Sequence, residues 1–150
     1  MRPIFAINFL TMSKLVYITR RERFSAAHML TRVDWSEEKN LEVFGKCANP
    51  NWHGHNYVLF VTIKGEPSTE TGFVADLKLL SDIINEKVIL HVDHKNINLD
   101  TVFMKGQLSS TENIAIAIWN ELASSIKDIG AELHCIKLQE TENNYVEYYG

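Results

Sequence analysis

The segment His53-Gly54-His55-Asn56-Tyr57-Val58-Leu59-Phe60-Val61-Thr62-Ile63 decides the fold, because Tyr57, Leu59, Val61 and Ile63 recur at period two and so share one face of a strand. That strand stops at Gly65 and the turn signals running from Pro67 to Gly72. Upstream, Leu15 to His28 is rich in Val, Tyr, Ile, Thr and Phe, and Phe24, Ala26 and His28 alternate onto one face of a second half-buried strand. A long polar insertion, Leu30 to Lys46, separates the two, so they read as a hairpin with a long loop.

Downstream, Leu77, Leu80, Ile84 and Val88 fall at helical spacing behind Asp76, an N-cap residue type. A second helix is signalled by Ser109 and Glu112, spaced as a capping box ahead of Ile114, Ile118, Leu122 and Ile126. After Gly130, the residues His134, Ile136, Leu138 and Glu140 alternate onto one face, Thr141 to Asn144 turn the chain, and Tyr145 to Tyr149 form the last strand. The order strand, strand, helix, helix, strand, strand predicts an α+β layer in which both helices lie on one face of an antiparallel sheet. The open edges of such a sheet can be covered by oligomerisation.

At 150 residues the chain is one domain in size, and its 45% hydrophobic and 23% charged residues are those of a globular protein. The net charge is -4 and no basic run exceeds Arg20-Arg21, which offers nothing to a phosphate backbone and excludes nucleic acid as a partner. No stretch reaches the roughly 20 apolar residues that span a bilayer. Cys47 and Cys135 make no disulfide framework, and a reducing, cytoplasmic setting is the simpler expectation. Residues 1–13 are expected to be an extension, disordered or dispensable, ahead of a single domain at 14–150; an organelle-targeting segment is the alternative.

Among the chemistry-bearing residues, His53 and His55 are two apart at the start of a strand, so both imidazoles point to one face. If their strand pairs antiparallel with the one ending at His28, three imidazoles converge as in a catalytic zinc site with one open position. The pair alone is weak evidence for a metal and reads more readily as a surface or core pair. Cys47 lies in the loop segment Phe44-Gly45-Lys46-Cys47-Ala48-Asn49-Pro50, at a spacing that fits no zinc finger. It is either a reactive thiol, favoured as thiolate by a nearby dication, or an inert buried residue.

Asp93-His94 is a carboxylate beside an imidazole, suited to a proton relay, or else a turn cap beside a solvated His. Glu140 places a carboxylate on an otherwise apolar face, which a ligand with paired N–H donors would satisfy; the alternative is a strand end reaching water. Cys135, on the opposite face of that strand, and His134, on the side of Ile136, are expected to pack, and His91 to sit at a helix C-terminus.

Taken in order, Phe24-Ser25-Ala26-Ala27-His28, Phe44-Gly45-Lys46-Cys47, His53-Gly54-His55-Asn56-Tyr57, Asp93-His94-Lys95-Asn96, Ser110-Thr111-Glu112-Asn113 and Glu140-Thr141 resemble the 6-pyruvoyl-tetrahydropterin synthase family, in its animal-type branch. The resemblance covers everything after about Leu15. It implies a T-fold subunit, with two helices on a four-stranded antiparallel sheet, trimers closing into a barrel and two trimers forming a homo-hexamer. It implies conversion of 7,8-dihydroneopterin triphosphate to 6-pyruvoyl-tetrahydropterin with loss of triphosphate, on the tetrahydrobiopterin route.

By the same resemblance His28, His53 and His55 bind one zinc per subunit, Cys47 is the general base, and Asp93 and His94 form a relay that serves a neighbouring subunit. Glu140 anchors the pterin and Thr111 and Glu112 line its pocket, with Mg²⁺ a further expected companion of the triphosphate. Trp52 stands where the family commonly has Gly, a change at the pocket mouth, and Ala48 and Ser110 replace commoner Asn and Thr, departures that bear on fine substrate preference rather than on the reaction type. Competing readings are a 6-carboxy-tetrahydropterin synthase of the queuosine route, whose cysteine usually sits closer to the His-Gly-His pair, a non-catalytic pterin- or zinc-binding protein, and a zinc hydrolase.

Overall fold

Alternation along two long strands organises the structure, a computed structural model that describes residues 14–150. The expected extension at residues 1–13 lies outside the described residues. Strand β1 (Val16–His28) pairs antiparallel with β2 (His53–Gly65) in a register that runs from Val16 opposite Gly65 to His28 opposite His53. Their shared face carries Phe24, Tyr57, Leu59, Val61 and Ile63, each at most 2% exposed. The other half of the sheet is β4 (Glu132–Gln139), antiparallel to β2, and β5 (Tyr145–Tyr148), antiparallel to β4.

Helix α2 (Leu77–Ile84) begins where expected, with Asp76 Oδ1 accepting from the backbone N–H groups of Lys78 at 2.8 Å and Leu79 at 3.4 Å. It runs through a π-helical turn at Asn85–Ile89 into the short α3 (Leu90–Val92), burying Leu80, Ile84, Val88 and Val92. The long helix α4 (Thr111–Asp128) sends Ile114, Ile118, Leu122 and Ile126 into the same core. Each of these fully buried aliphatic side chains contributes about 1.5–3 kcal/mol. The outcome is the expected α+β layer.

Four details differ from the sequence reading. The sheet has five strands rather than four, because the two-residue β3 (Lys95–Asn96) joins the free edge of β1 in parallel and makes the sheet mixed, in the order β3-β1-β2-β4-β5. The polar insertion hides helix α1 (Glu37–Phe44), capped by Ser36, whose hydroxyl accepts from the Lys39 N–H at 3.2 Å. The α4 cap is Ser110, which accepts from the Asn113 N–H at 3.3 Å, and not Ser109, whose hydroxyl is engaged with Asn98 and Met29.

The fourth difference is a β-bulge in β4. Thr62 pairs with Cys135 and Ile63 with Leu133, so His134 is left over and turns away from the side of Ile136. Its ring lies 4.6 Å from that of Tyr17 and 5.5 Å from that of Tyr149, on the face the helices leave uncovered. Among the described residues, no helix is long and apolar enough to cross a membrane.

Candidate active site

Because His28 faces His53 across the β1–β2 ladder and His55 lies opposite Ala26, period-two alternation turns all three imidazoles onto the helix-covered face. One ring nitrogen from each lies within 4.8 Å of the other two. His28 is 1% exposed, and its Nδ1 is 2.7 Å from the carbonyl oxygen of Ser109. A carbonyl only accepts, so the proton sits on Nδ1 and the Nε2 lone pair is bare. That Nε2, together with both ring nitrogens of His53, is buried without a hydrogen-bond partner.

Burial pulls all three imidazoles below their ordinary pKa. At His28 it outweighs the Ser109 carbonyl and Glu140, which push upward, and at His53 the neighbouring His28 adds to it. Neutral, dry, unpartnered imidazole nitrogens are costly unless something accepts their lone pairs, and a divalent cation does so. Three histidine ligands with an open position form the donor set of a catalytic metal site. The residues present fit a metal ion.

Glu140 follows the last residue of β4 on the face of Leu138. Its Oε1 lies 3.6 Å from Nε2 of both His28 and His55, and accepts the Thr111 hydroxyl at 2.9 Å. Beneath them Tyr57 is fully buried, its hydroxyl unpartnered and pushed upward in pKa by burial and then by Glu140.

Cys47 comes from a 3₁₀ turn (Gly45–Ala48) after α1, and Leu30 fastens this turn to the end of β1 by donating its N–H to the Cys47 carbonyl at 2.8 Å. A cavity of about 320 Å³ opens over the site, lined in part by His28, Cys47, Thr111, Glu112 and Glu140. Burial first, and Glu140 second, push the Cys47 thiol up.

Asp93 and His94 lie elsewhere. Asp93 Oδ1 accepts the Ser25 N–H at 2.9 Å and its Oδ2 is 3.0 Å from Nδ1 of His94, so the pair does face each other. His94 holds a left-handed backbone (φ 55°), and its side chain is 83% exposed beside Ser25, Ala27 and Asn56, which point to the uncovered face. Within one chain the structure does not bring this pair into the cavity of Cys47. Sequence reasoning missed Tyr57 as a site residue, since it reads as strand core, and missed Asn98 and Ser109, whose partners are far away in sequence.

Several known proteins share this arrangement of elements. The model of the family described as 6-pyruvoyl tetrahydropterin synthase matches residues 17–150. A 6-pyruvoyl tetrahydrobiopterin synthase of Dictyostelium discoideum is 45% identical over 139 residues, covering 93% of this chain and 99% of its own. The Homo sapiens protein of the same name is 42% identical over 133 residues, covering 89% and 90% respectively. The solved structure of Caenorhabditis elegans 6-pyruvoyl tetrahydropterin synthase superposes with a TM-score of 0.85 at 38% identity, covering 92% of this chain and 97% of that one.

Proposed function

The chain belongs to the 6-pyruvoyl tetrahydropterin synthase family and is an enzyme, and from that premise we propose that it converts 7,8-dihydroneopterin triphosphate to 6-pyruvoyl-5,6,7,8-tetrahydropterin and triphosphate. The observation that carries this reading is the set of dry, unpartnered nitrogens on His28 and His53, with His55 beside them, next to a cavity that Cys47 and Glu140 line. In the proposal zinc is held by His28, His53 and His55. When bound, zinc supplies positive charge that acidifies the hydroxyls of the substrate side chain and the C–H bonds beside them. Neutral ligands leave the ion's double charge intact.

Cys47 is the base. Its thiol is raised by burial and by Glu140, and a dication held by the three histidines would oppose both influences and favour the thiolate. The thiolate takes a proton from the side-chain carbon and returns one while triphosphate departs, a rearrangement plus elimination that needs no redox partner. Glu140 anchors the pterin ring by accepting its N–H donors, Thr111 pins that carboxylate, and Glu112 borders the same cavity.

Asp93 and His94, on the uncovered face, are assigned as a relay that reaches the Cys47 of the partner subunit in a homo-hexamer built from two trimers. Mg²⁺ accompanies the triphosphate, residues 1–13 are dispensable, and the enzyme works in the cytoplasm.

The test is an assay of purified protein with zinc and 7,8-dihydroneopterin triphosphate, following triphosphate release and identifying the organic product. The 6-pyruvoyl product, lost in Cys47→Ala, is the expected result. Acetaldehyde among the products, or a Cys47→Ala variant that turns over like the unsubstituted enzyme, would sink the assignment.

A further inference from the structure

The ring of His28 is aimed from two directions by groups distant in sequence. Asn98 docks on the backbone just after it: its Oδ1 accepts the Met29 N–H at 3.0 Å and its Nδ2 donates to the Met29 carbonyl at 2.9 Å. This side-chain amide therefore mimics a neighbouring strand and continues, past β3, the edge bond that the Ile97 N–H makes to the Ala27 carbonyl. The same Oδ1 lies 2.9 Å from the hydroxyl of Ser109, which is also 3.1 Å from the Met29 carbonyl. Ser109 is fully buried, and it is its carbonyl that takes the His28 Nδ1 proton at 2.7 Å.

Asn98 is itself held in place. Its N–H donates to Asn96 Oδ1 at 3.0 Å, and the Asn96 N–H donates to Asp100 Oδ2 at 2.8 Å. On the far side, Ser110 caps α4 and Asn113 Nδ2 donates to the Leu108 carbonyl at 2.9 Å, so the residues flanking Ser109 are fixed as well. A serine whose spacing suits a helix cap has given up capping to join this network.

We infer that Asn98 and Ser109 are positioning residues for His28, fixing the tautomer and direction of its ring so that Nε2 is presented to a metal ion. The inference rests on the metal reading above. Partners that orient a ligating imidazole typically change metal affinity by roughly 10- to 100-fold when removed. Asn98→Leu deletes the clamp on Met29 and the Ser109 contact together. Asn98→Asp keeps the acceptor for the Met29 N–H and the Ser109 hydroxyl, but replaces the donor to the Met29 carbonyl with a second, charged oxygen that opposes it. Ser109→Ala frees the carbonyl to drift.

The experiment measures zinc affinity of metal-free protein by competition with a chromophoric chelator, and the visible spectrum of the cobalt(II) form. Asn98→Leu and Ser109→Ala are expected to bind zinc roughly 10- to 100-fold more weakly, with an altered cobalt spectrum, and Asn98→Asp, which retains the contacts to the Met29 N–H and the Ser109 hydroxyl, to recover part of the loss. Ile118→Val, a core truncation remote from the network, should lower thermal stability without moving zinc affinity. Should Asn98→Leu not fold, Ser109→Ala and Asn98→Asp carry the comparison. Variants that bind zinc as tightly as the unsubstituted protein, with its cobalt spectrum, overturn the inference and leave the metal reading standing. An unsubstituted protein that binds neither metal overturns both.

Discussion

Thr111 donates its hydroxyl to Oε1 of Glu140 at 2.9 Å, joining the first turn of α4 to the residue that follows β4. The same oxygen stands 3.6 Å from the Nε2 atoms of His28 and His55, so a single carboxylate links the helix start, the imidazole cluster and the cavity. Its orientation is set before any ligand arrives. A charge-assisted hydrogen bond to a ligand contributes about 1.5–3 kcal/mol, so Glu140→Gln should raise KM for the pterin roughly 10- to 100-fold. Thr111→Val, which loosens the carboxylate without removing it, should raise KM less. Steady-state kinetics on both variants decide this, and an unchanged KM in Glu140→Gln would remove Glu140 from the binding pocket.

The Cys47 thiol gives a signature that depends on the sign of its pKa shift. Burial and Glu140 both disfavour the thiolate, so in metal-free protein deprotonation is displaced above the ordinary thiol range, about 8.5. In a Cys135→Ala background, alkylation by iodoacetamide should therefore accelerate only at alkaline pH. Loading with zinc should move that profile to lower pH, because the added positive charge favours the thiolate. A profile indifferent to zinc would place the sulfur out of the ion's reach.

Much of this geometry was legible because its causes are local. Alternation in Tyr57, Leu59, Val61 and Ile63 fixes which way His53 and His55 point, and Asp76 caps α2 through bonds to residues two and three positions on. What escaped is non-local. Nothing near Ser109 announces that its hydroxyl will meet Asn98 and Met29 instead of capping α4. The bulge that turns His134 outward arises from pairing with Thr62 and Ile63, some 70 residues earlier. Helix α1 carried its own signal in Ser36-Glu37-Glu38-Lys39, but Asn40 is the one residue of the helix that it buries, so no apolar stripe betrays it.

Asp93 should leave a mark on acid stability. The Ser25 N–H donating to Oδ1, with the His94 ring as a lesser influence, holds its carboxyl below the usual carboxylate range. The folded protein thus favours the charged form. The stabilisation is complete above the ordinary aspartate value, about 3.9, and is lost as pH falls through the lower folded value. Asp93→Asn should be less stable than the unsubstituted protein near neutrality and should converge with it in strong acid. With the Asp93 side chain 36% exposed, solvent screening limits the gap to less than about 1 kcal/mol. Urea titrations across pH 2–7 measure it, and a gap that persists unchanged into strong acid would show that the carboxylate charge is not its source.

Gly54 sits between the paired histidines for a steric reason. A Cβ built there would lie 3.0 Å from the carbonyl oxygen of Ala26 and 3.6 Å from the Cα of Ala27, backbone atoms of the partner strand that have little room to retreat. Gly54→Ala must therefore push β1 and β2 apart at the point where His28 faces His53 and Ala26 faces His55. Overpacking of this kind costs about 1–3 kcal/mol. The separation also displaces the imidazoles of His28, His53 and His55, whose convergence the proposed metal site requires. Gly54→Ala should accordingly lose thermal stability and zinc affinity together, whereas Gly72→Ala, in a turn where an added Cβ meets nothing within 4 Å, should lose stability through its positive φ of 75° while keeping full zinc affinity. Calorimetry and chelator competition on the two variants separate the effects, and unimpaired zinc binding in Gly54→Ala would mean that the β1–β2 spacing does not control the metal site.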